Sequence, residues 1–113
     1  MATMTRLTTN EQLQSALEAS GDKPLLIFKH STRCPISSRA NEEVMSYLKD
    51  QPNESIEYAI IYVVEDRALS NEAASIVGIK HESPQVILLH AGKPSWHTSH
   101  SHITSDALKE QLH

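Results

Sequence analysis

Cysteine is almost missing from this chain: Cys34 is the only one. No internal disulfide can form, so the fold needs no oxidising compartment. Glycine is scarce, at 3 residues, and aromatic residues make up 4% of the chain. There is no internal repeat and no low-complexity block. No apolar run approaches the roughly 18 residues of a membrane span. The first residues, Met1-Ala2-Thr3-Met4-Thr5-Arg6, lack the apolar stretch of a secretory signal, and a cytoplasmic protein is expected. The net charge of -4 argues against a general nucleic-acid binder, so no nucleic acid and no membrane are expected as partners.

What is present has the balance of an ordinary soluble protein, with 39% hydrophobic and 21% charged residues in 113. That length suits one domain, residues 1–113. Met4-Thr5-Arg6-Leu7 suits a short strand. Thr8/Glu11 and Thr9/Gln12 both stand at capping-box spacing. Leu13, Ala16 and Leu17 then repeat at helical spacing, with Gly21 as a stop. Leu25 to Lys29 reads as a strand apolar on both faces, hence central.

After Cys34, the residues Ile36, Ala40, Val44, Tyr47 and Leu48 fall on one helical face, and Asp50-Gln51-Pro52-Asn53 ends the helix. Tyr58 to Val64 is rich in β-branched and aromatic residues and predicts a buried strand. Glu65-Asp66-Arg67 reads as a loop. Leu69, Ala73, Ile76 and Val77 form a second amphipathic face, capped by Ser70 or Asn71 and closed by Gly78. Gln85 to Leu89, the turn Ala91-Gly92-Lys93, and Ser95 to Thr98 predict a hairpin with Pro94 on an edge strand. Thr104 to Leu112 predicts a closing helix with Ile103, Ala107, Leu108 and Leu112 inward. The order (β)αβαβαββα, with parallel crossovers and a final antiparallel hairpin, is the thioredoxin arrangement: an α/β fold with a mixed sheet of four or five strands and helices on both faces.

Cys34 stands at the seam between the central strand and a helix start. The thiolate is the reactive form of cysteine. A helix N-terminus favours it through free N–H groups and the positive end of the macrodipole. Pro35 suits the first helical position, where its missing N–H costs nothing. The N–H groups of Ile36 and Ser37, the Ser37 hydroxyl and the charge of Arg33 are the expected stabilisers of a nucleophilic Cys34. His30 is a candidate for tuning the thiolate or shuttling a proton, or else packs at the strand end. His97, His100 and His102 share no acidic or cysteine neighbour, and no metal site is expected there. Trp96 and Tyr62 are expected to pack.

Phe28-Lys29-His30-Ser31-Thr32-Arg33-Cys34-Pro35-Ile36-Ser37 resembles the signature of the monothiol bacilliredoxins of the bacillithiol system. Ser83-Pro84 stands where the thioredoxin-like superfamily keeps a cis-proline. The resemblance implies a thiol-disulfide oxidoreductase that removes bacillithiol, or a similar low-molecular-weight thiol, from protein mixed disulfides. It makes Cys34 the attacking thiol and Pro84 the substrate-groove proline, with the backbone of Ser83 presented to an extended peptide. Bacillithiol would be a co-substrate rather than a tightly bound cofactor. The implied partners are bacillithiolated cytosolic proteins and a small thiol or reductase that recycles Cys34. Cationic groups expected to hold the carboxylates of bacillithiol are Arg33, Arg39, Lys29 or Lys80, with solvated surface charge as the plain reading of each.

The departures from dithiol thioredoxins agree with this. Ser37 stands where a second cysteine would be, so Cys34 must wait for an outside thiol. Phe28 stands where the dithiol proteins bury a carboxylate. Two other classes compete. One is a non-catalytic thioredoxin-fold adaptor that binds peptides along the Pro84 groove. The other is a monothiol glutaredoxin-like iron–sulfur carrier, from which Pro35 departs because that class usually has glycine there.

Overall fold

The strands sort their side chains by alternation, and this builds two cores. From Leu25 onward, odd residues of the second strand face one layer of helices and even residues face the other. Leu25 and Ile27 pack in one cluster with Leu13, Leu17, Leu69 and Ala73. Leu26 and Phe28 pack in the other with Val44, Tyr47, Leu48 and Leu108. The computed structural model describes residues 2–112; Met1 and His113, the ends of the expected domain, lie outside the described residues.

The elements in order are β1 (Met4–Arg6), α1 (Asn10–Ala19), β2 (Leu25–His30), α2 (Pro35–Lys49), β3 (Glu57–Tyr62), α3 (Arg67–Val77), β4 (Gln85–His90), β5 (Lys93–Ser99), a short 3-10 turn (His100–His102) and α4 (Ser105–Gln111). The sheet has 5 strands in the order β1-β3-β2-β4-β5, so β2 is central. This is the α/β thioredoxin fold, with helices on both faces of a mixed sheet.

Local chemistry accounts for several boundaries. Thr9 caps α1 and Gln12 returns the bond, so the second of the two capping-box candidates is the one used. Such a cap is worth about 1 kcal/mol. Gly78 closes α3 at φ 75, a left-handed conformation open to glycine at little cost. Ala91 and Gly92, both at positive φ, make the two-residue turn between β4 and β5. Thr104 caps α4 and accepts from the Ala107 N–H at 3.1 Å.

Three expectations need correcting. α3 starts at Arg67 with Asp66 at its cap, not at Ser70 or Asn71; Ser70 is instead buried inside the helix. Ile36 and Ile76, assigned to inward faces, are 50% and 39% exposed. In α2 the buried face runs from Ala40 back to Ser37, three residues away, which turns Ile36 outward. Finally, the crossover through α3 does not give a parallel neighbour. β2 pairs parallel with β3 but antiparallel with β4, Lys29 opposite Gln85. That reversal brings the start of β4 to the same end of the sheet as the end of β2.

Candidate active site

The site grows from the last two residues of β2. As the alternation continues, Lys29 follows Ile27 toward α3 and His30 follows Phe28 toward α2. Both are buried, at 0% and 7% exposure. The His30 ring stacks on Phe28 with centroids 5.4 Å apart and meets Tyr62 at 5.9 Å. Its Nδ1 lies 2.7 Å from the Ser37 hydroxyl, which also accepts the Ser31 N–H at 2.9 Å. With the Ser31 N–H donating to it, the Ser37 hydroxyl has its own proton to give, and among the described residues Nδ1 is the partner within reach. Burial pushes the imidazole below its ordinary value of 6.5, against the opposing pull of Glu65.

The chain then turns through Ser31-Thr32-Arg33 to Cys34, which sits in extended conformation as the N-cap of α2. Its N–H donates to the Ser31 carbonyl at 3.4 Å, and its carbonyl accepts from Ser38 at 3.0 Å. Pro35 opens the helix. The N–H groups of Ile36 and Ser37 are bonded to no backbone carbonyl among the described residues. Cys34 is partly exposed, on an open cleft of about 600 Å³ that it shares with Thr32, Arg33, Pro35, Ser38, Arg39 and Glu42. Thr32 is tied to Glu65 at 3.2 Å.

Ser37 needs correcting as a thiolate ligand. Its side chain is fully buried, and its hydroxyl is taken by His30 and the Ser31 N–H; Cys34 has no side-chain cap bond. What Ser37 offers toward the sulfur end of the helix is its backbone N–H. Lys29 needs correcting too. It is neither a surface charge nor part of the cleft, since a central strand leaves it nowhere to go but into the α3 side. Arg33 and Arg39 remain at the cleft, exposed, while Lys80 lies exposed in the segment before Pro84.

Ser83-Pro84 is a cis bond at the mouth of β4. The β2–β4 ladder ends at the Lys29–Gln85 pair, so Pro84 directly precedes the paired part of β4 at the end of the sheet where β2 runs into His30. The Pro84 carbonyl accepts the His100 N–H at 2.9 Å. Ser83 keeps both its N–H and its carbonyl free of backbone partners among the described residues, so an extended peptide has bonds to make there. The chemistry this arrangement permits is attack by one partly exposed thiol at the start of a helix.

Among the described residues no group of three or more His, Cys, Asp or Glu is placed to hold a metal ion. His97 is on β5, but His100 and His102 lie on the 3-10 turn rather than on a strand face. Among the described residues no helix is long and apolar enough to cross a membrane. Two polar residues of this end of the sheet were not singled out from sequence: Gln85 and His81. The signal was available for Gln85, which stands directly before the apolar run Val86-Ile87-Leu88-Leu89. His81 gave none, because its partners come from α3 and β2.

The chain is similar over most of its length to a solved structure described provisionally as an oxidoreductase with a thioredoxin fold. That match has 27% identity and a TM-score of 0.82, over 95% of this chain and 91% of the other. It also resembles a thioredoxin from Malassezia sympodialis, with 13% identity, TM-score 0.78, and 99% and 90% of the two chains covered. A Fasciola hepatica thioredoxin matches at 15% identity and TM-score 0.74, over 96% of each chain. These last two share the fold alone. The model of the monothiol bacilliredoxin BrxC family matches residues 5–108. With a single thiol at the start of α2 and a thioredoxin fold around it, this chain belongs to the monothiol bacilliredoxin family.

Proposed function

We propose that the protein, acting in the cytoplasm as one domain of residues 1–113, strips bacillithiol or a similar small thiol from protein mixed disulfides. The observation that carries this reading is the position of Cys34. The only sulfur nucleophile caps α2, partly exposed on a cleft lined by Arg33 and Arg39, and Ser37 replaces any resolving cysteine.

In the proposed cycle the Cys34 thiolate attacks the small-thiol sulfur of the capped protein. The disulfide breaks, the protein cysteine leaves as thiolate and takes up a proton, and Cys34 keeps the cap as a new disulfide. A second small thiol, or a reductase, then attacks that cap. The attack breaks the Cys34 disulfide and expels Cys34 as thiolate. A small thiol departs joined to the cap as a disulfide, whereas a dithiol reductase closes its own disulfide and releases the cap as free thiol. The attacking thiols supply the two electrons in either case. Arg33 and Arg39 meet the carboxylates of the cap. The N–H groups of Ile36 and Ser37 face the developing charge, and Pro35 preorganises that turn. The backbone of Ser83, set by Pro84, takes the substrate chain as an added strand. His30 acts by holding Ser37, and so the first turn of α2, in place.

The test is a protein bearing one bacillithiol-capped cysteine, mixed with this protein and followed by intact mass. The cap should leave the substrate and appear on Cys34. Cys34→Ala should leave the substrate capped; if that variant still removes the cap, the scheme is wrong.

A further inference from the structure

A second polar cluster lies on the α3 side of the sheet, and the cycle above leaves it unused. Lys29 is wholly buried, and its Nζ donates to the Ser70 carbonyl at 3.1 Å and to His81 Nδ1 at 3.2 Å. The Ser70 hydroxyl is 3.3 Å from the same imidazole nitrogen. An ammonium has no lone pair to offer, so Nδ1 is the acceptor and His81 is neutral. Three elements meet here: Lys29 on β2, Ser70 on α3, and His81 in the segment that leads from α3 to Pro84. Gln85, across the strand from Lys29, adds a bond from its Nε2 to the Lys80 carbonyl at 3.0 Å.

The segment Lys80–Ser83 is thus pinned from inside the molecule, while Ser83 itself stays unpaired along its backbone. Ser83 Oγ and Gln85 Oε1 are the buried side-chain polar atoms without a partner among the described residues. Gln85, paired with Lys29 across the ladder, shares its face of the sheet. A buried amine normally has to be compensated. This one is bonded to α3 through the Ser70 carbonyl and to the segment before Pro84 through His81.

We propose that Lys29 is a positioning residue for the protein substrate: through His81 and Ser70 it holds the Lys80–Ser83 segment so that the Ser83 backbone stays presented to an extended chain. The proposal rests on the cap-transfer reading, whose substrate chain is the one presented. It concerns the grip on the peptide and leaves the thiol chemistry to Cys34.

The experiment compares Lys29→Met, His81→Leu and His81→Asn on two substrates: a ten-residue peptide with a bacillithiol-capped cysteine, and the symmetric disulfide of bacillithiol, which has no peptide to grip. For Lys29→Met and His81→Leu, KM for the capped peptide should rise about tenfold, the scale of one positioned hydrogen bond, with kcat and the small-disulfide rate held within about twofold. His81→Asn, whose side-chain oxygen accepts where Nδ1 does, should restore the wild-type KM. Equal losses on both substrates, an unchanged peptide KM, or a His81→Asn as poor as His81→Leu would each overturn the proposal. If Lys29→Met fails to fold, the two His81 variants decide. Should the wild-type protein move no cap at all, the function proposed above fails. Hydrogen exchange then judges the brace alone: amides of residues 80–83 exchange faster in His81→Leu than in wild type and His81→Asn if it holds, and at equal rates if it does not.

Discussion

Ser37 Oγ lies 2.7 Å from His30 Nδ1, and this contact closes a ring from the end of β2, around Cys34, to the first turn of α2. The Ser31 N–H joins the same hydroxyl at 2.9 Å. Ser37→Ala removes a partner from two buried groups at once. Urea unfolding should show a loss of about 1–3 kcal/mol, the usual cost of leaving buried polar groups unpaired. Cap transfer should survive, since the thiol is elsewhere. A folded Ser37→Ala protein with no activity would contradict the one-thiol scheme.

Cys34 should react with iodoacetamide at pH 6 much faster than a simple model thiol does. The reason is its place at the N-cap of α2, ahead of two N–H groups without backbone partners among the described residues. Matched second-order rates for the folded protein and a denatured sample give the measurement. Equal rates would mean that the helix end does nothing for the sulfur.

Arg33 and Arg39 border the cleft at Cys34. If they meet an anionic cap, Arg33→Ala/Arg39→Ala should slow transfer of that cap about fivefold, the scale of exposed ion pairs. The loss should shrink as salt is raised, because exposed charges are screened. Alkylation by neutral iodoacetamide should change far less. A double variant that handles the anionic cap like wild type would remove both arginines from the site.

Stability should respond to pH at both ends of the range. His30 and His81 are held below 6.5, by burial first in each case, with Lys29 and Arg67 adding to the effect on His81 and Glu82 opposing it. Just below 6.5 the unfolded chain therefore binds more protons than the folded one, and stability should fall as the pH drops through that window. Burial holds Lys29 at about 8 rather than 10.5. Between those values the unfolded chain again binds more protons, so stability should rise with pH above 8, by at most about 1.4 kcal/mol per pH unit from this group. The rise should be read below pH 10.0, where Tyr58, pushed up by burial and its bond to Tyr47, is not yet involved. Lys29→Met should abolish the alkaline rise. Denaturant midpoints across pH 5 to 10 check all of this, and a Lys29→Met protein that kept the rise would disprove its origin.

Much of the architecture was legible in residues alone, because it rests on short-range rules. The alternation and the two apolar faces of Leu25–Phe28 announce a central strand, and Pro35 after Cys34 announces a helix start. Thr9 with Gln12, Gly78 and Ala91-Gly92 mark caps and turns through chemistry confined to a few neighbouring residues. The errors fall where the reading depended on what a residue faces. Ile36 kept helical spacing but faces outward, and Lys29 looked like surface charge because a cation is seldom buried.

The sequence by itself determined that there is one thiol, that it stands at a strand-to-helix junction, and that no second cysteine resolves it. Only the tertiary structure decided where the surrounding polar groups spend their hydrogen bonds. Ser37 is turned to His30 and away from the sulfur, and Lys29 is committed to Ser70 and His81, residues 41 and 52 positions further along the chain. Spacing along a chain dictates which face a side chain takes. The partner waiting on that face is chosen by which strand pairs with β2, and the antiparallel entry of β4 made that choice here.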